Sequence, residues 1–316
     1  MIRRLRREGW VAGLFALFLA LLAITRLIQP GYGGGDFASL ARAATPYAFA
    51  VAAQTVVVIA GGIDLSVAAT MALTSVAAAR AMQGASDEAA VLVVLLTLVL
   101  GLALGALNGL LIVLTRVPDI VVTLAMLFVY QGAALLVLPA PGGAAAPWLK
   151  ALLTGSLGSA WLPTALVLLA ALLAAVWLPL RRSKLGLSIY AIGSSELAAF
   201  RSGVPVARTK VAAYAIAGLF AALGGLSLTA STGIGAPIPG PYLLASVAAV
   251  VLGGVTLGGG RGGLLGPIVA VFILRLVRTD LTLLAVDPNV TSIVEGTIMV
   301  VVVMFGAFVA MRGRTP

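Results

Sequence analysis

Stretches of about twenty apolar residues recur along the whole length of this chain, and little separates them. We place them at about 10–28, 45–60, 64–82, 90–114, 119–138, 161–179, 210–230, 242–258, 263–278 and 290–310. Some twenty apolar residues in a helix cover the hydrocarbon core of a bilayer. Strand-like alternation is missing and Ala, Leu and Val dominate, so helices are expected instead of a barrel. Charged residues make up 9% of the 316 and the mean hydropathy is +1.16, far from the roughly 25% charged content of soluble domains. The expected fold is all-α: a polytopic transmembrane helical bundle of about ten spans, one domain over 1–316.

Lysine and arginine orient the bundle, because cytoplasmic loops hold the excess. With the N-terminus inside, fourteen of the twenty fall on the cytoplasmic side: Arg3, Arg4, Arg6, Arg7, Arg116, Arg181, Arg182, Lys184, Arg201, Arg208, Lys210, Arg261, Arg312 and Arg314. Arg26, Arg42, Arg80, Lys150, Arg275 and Arg278 are external or embedded. An even count with both termini cytoplasmic follows. RRLRR ahead of the first span imitates a signal peptide, but the apolar stretch is too long and no Ala-x-Ala site follows, so an uncleaved span is expected. Its arginines suit anionic lipid, and the net charge of +10 calls for no nucleic acid.

Several chemistries are excluded. The chain has no cysteine and no histidine, which removes thiolate catalysis, His-based triads and most metal sites, and it has ten carboxylates to draw on. We expect no catalytic residue, no metal and no cofactor. The glycine-rich run Gly253–Gly263 imitates a phosphate loop but lacks the Gly-Lys-Ser/Thr ending, and no such tripeptide occurs elsewhere. It reads as a tight turn between closely packed helices. Leu252–Leu257 also echoes Ala60–Leu65, a hint of internal duplication.

Polar residues inside the apolar runs are the candidates for function. Gly61-Gly62-Ile63-Asp64-Leu65-Ser66 stands where one run stops and another begins, and Asp64 is expected to cap the third span. Gly101, Gly105 and Gly109 make a small-residue contact face, with Asn108 on or beside it and hydrogen-bonding across. Gln54, Asp64, Ser66, Asn108 and Thr123 are candidates to line or gate a translocation path.

One interruption stands apart. Arg181–Lys210 carries seven charged residues in thirty positions, between runs long enough to span. Ser194 or Ser195 can cap a short helix there, Glu196 suits its first turn, Leu197, Phe200 and Val204 share a face, and Gly203 with Pro205 ends it. Its charged face, Glu196 and Arg201, is expected to be open to a partner.

GGIDLS at 61–66, NGLLI at 108–112 followed by Val-Pro and Val-Thr-Leu, LGLSIYAIG at 185–193 with Ser-Gly-Val at 202–204, and AAVVLGG at 248–254 with the glycines beyond occur in that order. Together they closely resemble the membrane permease subunits of bacterial ABC importers for ribose and related sugars, from about residue 45 to 305. The resemblance implies an inner-membrane protein paired with a second permease subunit, a copy of itself or a paralogue. It also implies two cytoplasmic ATPase domains and a periplasmic solute-binding protein. Gly193, Glu196, Ala199, Arg201, Ser202 and Gly203 would then form the region docking into the ATPase. Relatives import other pentoses, hexoses, a sugar-like signalling molecule and, more distantly, branched-chain amino acids. The alternatives are a stand-alone secondary transporter, which would need a relay drawn from Asp64, Asp280 and Glu295, and an ABC permease for a non-sugar solute.

Overall fold

The structure is a computed structural model that describes residues 2–238 and 240–312; Arg314 lies outside them. Among the described residues the first five helices are α1 (Ile2–Ile28), α2 (Gly34–Ile59), α3 (Val67–Met82), α4 (Asp87–Thr115) and α5 (Asp119–Val137). A short helix α6 (Pro147–Thr154) and a hairpin of β1 (Ser156–Leu157) and β2 (Ser159–Pro163) precede α7 (Thr164–Arg182). Two short helices follow, α8 (Lys184–Ser194) and α9 (Glu196–Arg201). The chain closes with α10 (Val206–Thr232), α11 (Tyr242–Leu252), α12 (Leu265–Leu283) and α13 (Pro288–Arg312).

Each expected span meets a helix, and among the described residues six helices are long and apolar enough to cross a membrane: α1, α2, α4, α5, α7 and α10. α12 has the length, 19 residues, but carries Arg275, Arg278 and Asp280. α11 corrects the expected span 242–258: at 11 residues it rises about 16 Å, half the ~30 Å hydrocarbon thickness. The turn that follows it re-enters the protein, as irregular backbone at membrane depth must when it is shielded from lipid. The fold is the expected all-α bundle, and the short hairpin takes only residues 161–163 from the start of the sixth span.

α2 is the central post. It is buried along 83% of its most apolar stretch, against 11% for α1. Alanines fill it (Ala41, Ala44, Ala48, Ala50, Ala52 and Ala53 are all buried), so neighbouring helices approach closely. α10 packs on one side of it and in turn on α4, through the glycine face read from the sequence. A Cβ at Gly105 would run into the Tyr214 carbonyl, and one at Gly218 would stand 2.9 Å from the Gly105 Cα. Here the small residues are a geometric requirement.

α1 is built into the bundle. The Trp10 indole donates to the Leu252 carbonyl at 3.0 Å, Phe18 meets Phe272 edge-on at 6.2 Å, and the Thr25 hydroxyl donates to Asp280 Oδ1 at 2.7 Å. These contacts hold α1 to the end of α11 and, at two heights, along α12.

Candidate functional site

α2 and α11 end in the same way. After α2, Gly61 N–H donates to the Val58 carbonyl and Gly62 N–H to that of Val57; after α11, Gly254 N–H donates to Val251 and Val255 N–H to Val250. Gly61 and Gly254 take the left-handed conformation, at φ +90° and +81°, as this helix ending requires. The echo in the sequence is therefore real in structure, but one residue out of register: Gly61 corresponds to Gly254, not Gly253.

Both turns reach the polar interruption at Gly193. Gly260 N–H donates to the Ile59 carbonyl at 2.9 Å, fastening the glycine run after α11 to the end of α2. Gly193 lies in the same contact. A Cβ on it would stand 2.6 Å from Gly260 N and closer still to the Ile59 carbonyl, and one on Gly259 would be 2.9 Å from the Gly193 Cα. Tyr190, one turn earlier on α8, donates to the Gly262 carbonyl at 2.9 Å. The sequence placed Gly193 in a docking loop. The structure buries it as the point where that loop meets two helix ends.

Ser183 caps α8, accepting from Gly186 N–H at 3.1 Å, and Ser195 caps α9, accepting from Ala198 N–H at 3.3 Å. α9 is the short helix expected, six residues long. Gly203, at φ +81°, closes it, with Val204 N–H donating to the Ala199 carbonyl. Ala199 is buried, while Arg201, Ser202 and Gly203 are exposed. The exposed face differs from the expected one: Leu197 and Phe200 stand 60% and 67% exposed, whereas Glu196 is tied to Lys210 at 2.8 Å. Glu196 keeps about half its surface open, so the face offered to a partner is mixed, an apolar pair flanked by Glu196 and Arg201.

Four of the five path candidates form one buried cluster. Asp64 Oδ1 accepts from the Ser66 backbone N–H at 2.8 Å and its hydroxyl at 2.7 Å. Asn108 Nδ2 donates to Ser66 Oγ at 2.8 Å, and Tyr130 donates to Asn108 Oδ1 at 2.9 Å. Thr123 accepts from Leu65 N–H at 3.1 Å, joining α5 to the same turn. Asp64 is not the cap of α3: it sits two residues ahead of the N-cap Ser66 and holds that residue in place. Asn108 reaches toward α3 and α5, away from the glycine face it neighbours. Tyr214 donates to Asp119 Oδ2 at 2.9 Å on the edge of this group. Gln54 stands apart, fully buried on α2, with neither side-chain polar atom paired among the described residues. Tyr130 and Tyr214 were missed, although Tyr130 falls on the α5 face of Thr123, seven residues on.

A polytopic helical bundle with an interrupted helix pair and a short surface helix joined to both interruptions defines a membrane permease subunit. Residues 37–303 match the family described as branched-chain amino acid transport system / permease component, and the chain belongs to that family. Similar proteins include the autoinducer 2 import system permease proteins LsrD of Escherichia coli K12, Escherichia coli O157:H7 and Shigella flexneri. Each is 30% identical over 312 residues, which is 94% of this chain and 92% of the relative. No solved structure matches. The chain is a multi-pass membrane permease component of a bacterial ABC importer, without catalytic function of its own.

Proposed function

We propose that this permease passes a sugar-class solute from a periplasmic binding protein to the cytoplasm, driven by separate ATPase subunits that dock on α9. The observation that carries the coupling part is the burial of Gly193 between the end of α2 and the glycine run that joins α11 to α12, beside an exposed Leu197–Phe200 pair. An ATPase gripping that pair would pull on both helix ends at once, and packed elements move as units. Both termini are cytoplasmic in this reading, which puts α8, α9 and the two glycine turns on the ATPase side. A second permease subunit completes the path, and Gln54, Asp64, Ser66, Asn108 and Thr123 steady or gate it.

The sugar assignment rests on the resemblance to ribose-type permeases, and the relatives above are named for autoinducer 2 import. The family description favours a second reading, a branched-chain amino acid. Proteoliposomes holding the permease, its ATPase and its binding protein would be offered autoinducer 2, D-ribose and L-leucine. ATP-dependent uptake of either of the first two supports the proposal, and uptake of L-leucine alone overturns the sugar assignment. Uptake by the permease alone, without ATP, would overturn the importer reading.

A further inference from the structure

α2, α11, α12 and α13 enclose an open pocket whose wall includes Tyr47, Ala245, Arg275, Glu295, Ile298 and Met299. It lies apart from the Asp64–Asn108 cluster and shares no residue with it. The Arg275 guanidinium lies 4.9 Å above the Tyr47 ring, whose centroid is 4.4 Å from that of Tyr242. Glu295 accepts from Arg278 Nη1 at 2.7 Å. Arg275 Nε is buried and has no acceptor among the described residues.

Position makes this unusual. Tyr47 lies near the middle of α2 and Arg275 near the middle of α12, so the guanidinium stands at membrane depth. A charge there is costly to bury, and such residues mark solute and ion routes. A purely structural pair would need one arginine for Glu295, and Arg278 already fills that place. Arg275 turns instead to Tyr47, stacking on its ring and hydrogen-bonding its side chain, with Nε left without an acceptor among the described residues beside the open space. The Asp64–Asn108 cluster, by contrast, is closed and its members bond to one another.

We propose that this pocket is a station on the translocation route and that Arg275 and Glu295 contact the hydroxyls of a neutral, hydroxyl-rich solute. The assignment rests on the sugar-importer reading above. A guanidinium donates only and a carboxylate accepts only, so the two lining one pocket match a pair of hydroxyls, which do both. An amino acid's ammonium gains little from Glu295, whose charge Arg278 has already neutralised. Ile298 and Met299 give the carbon face of the solute an apolar wall, the usual division of labour in small-molecule pockets.

The chain has no cysteine, so a single one can be read without background. Ile298→Cys and Ala245→Cys, each in the permease–ATPase complex in liposomes, would be treated with a membrane-impermeant methanethiosulfonate. Leu95→Cys on the exposed face of α4 is the lipid control. Both pocket positions should react where Leu95→Cys does not, and trapping with ATP and vanadate should change their rate by about tenfold as the populations shift. D-ribose should slow the reaction several-fold, and L-leucine should not. Pocket cysteines as inert as the control, or rates indifferent to nucleotide, would overturn the route. Protection by L-leucine, or by neither solute, would overturn the hydroxyl contact. Wild-type ATP-driven uptake measured alongside separates the two levels: its absence with labelling intact sinks the importer reading, and its presence without labelling sinks only the pocket.

Discussion

Asn108 on α4 donates to the Ser66 hydroxyl at 2.8 Å while accepting from Tyr130 on α5, so one side chain bridges three elements around the Gly61–Ser66 turn. Asn108→Leu leaves Ser66 and Tyr130 buried without that partner. Interhelical bonds in membrane proteins contribute about 0.6 kcal/mol on average and up to ~1.7; Ser66 keeps its bond to Asp64 and Tyr130 its bond to the Leu104 carbonyl, so this variant should lose an amount near the average. Thermal unfolding in detergent should show the loss. A double-mutant cycle with Tyr130→Phe should return a coupling of about 0.5 kcal/mol or more, and strict additivity would refute the bridge.

Gly105 and Gly132 both lie inside helices, yet alanine should act oppositely at the two. At Gly105 a methyl group meets the Tyr214 backbone, which cannot yield without parting α4 from α10, and overpacking of this kind costs roughly 1–3 kcal/mol. At Gly132 nothing lies within 4 Å, and alanine should gain up to about 1 kcal/mol in helix propensity. Melting temperatures of the two variants, read against the unaltered chain, should move apart. A shift in the same direction would mean the α4–α10 contact is not tight.

Leu197→Ser with Phe200→Ser should abolish ATPase co-purification while leaving the permease's melting temperature unchanged, since both side chains are largely exposed. Glu196→Ala should do less. Its pair with Lys210 is more than half exposed on the glutamate side, and surface pairs contribute about 0–1 kcal/mol. If Glu196→Ala with Arg201→Ala releases the ATPase and the apolar pair does not, docking is electrostatic.

Gly193→Ala tests the joint between α8 and the two helix ends. The methyl group forces Ile59 away from Gly260, so the expected result is retained ATPase binding with uptake lost and hydrolysis no longer stimulated by the binding protein. Ser194→Ala, next to it but exposed, should transport normally. Normal coupling in Gly193→Ala would show that the force travels elsewhere.

Hydropathy located every helix that became a span because lipid imposes a length and an apolar surface. It failed at α11 because Val250–Leu252 and the glycines beyond are as apolar as a membrane segment, and only the left-handed turn at Gly254 stops the helix. α8 was read as loop because charges bracket it, although Ser183 three residues before Gly186 was a cap signal. The polar cluster was legible since hydroxyls and amides within a bundle have few partners but one another. Its tyrosines were not, because a tyrosine in a membrane sequence reads first as an interfacial anchor. The Arg275 pocket stayed hidden for a related reason: the positive-inside rule spends every arginine on orientation.

The Trp10–Leu252 and Thr25–Asp280 hydrogen bonds carry a consequence for biosynthesis. α1 leaves the ribosome first, yet the groups it bonds to are about 240 and 255 positions further along. The first helix must therefore wait in the bilayer, with Trp10 unanswered and Thr25 bonded only to the Leu21 carbonyl of its own helix, until synthesis is nearly complete. Any chain cut short before α11 would present that helix loose to the quality-control proteases of the membrane.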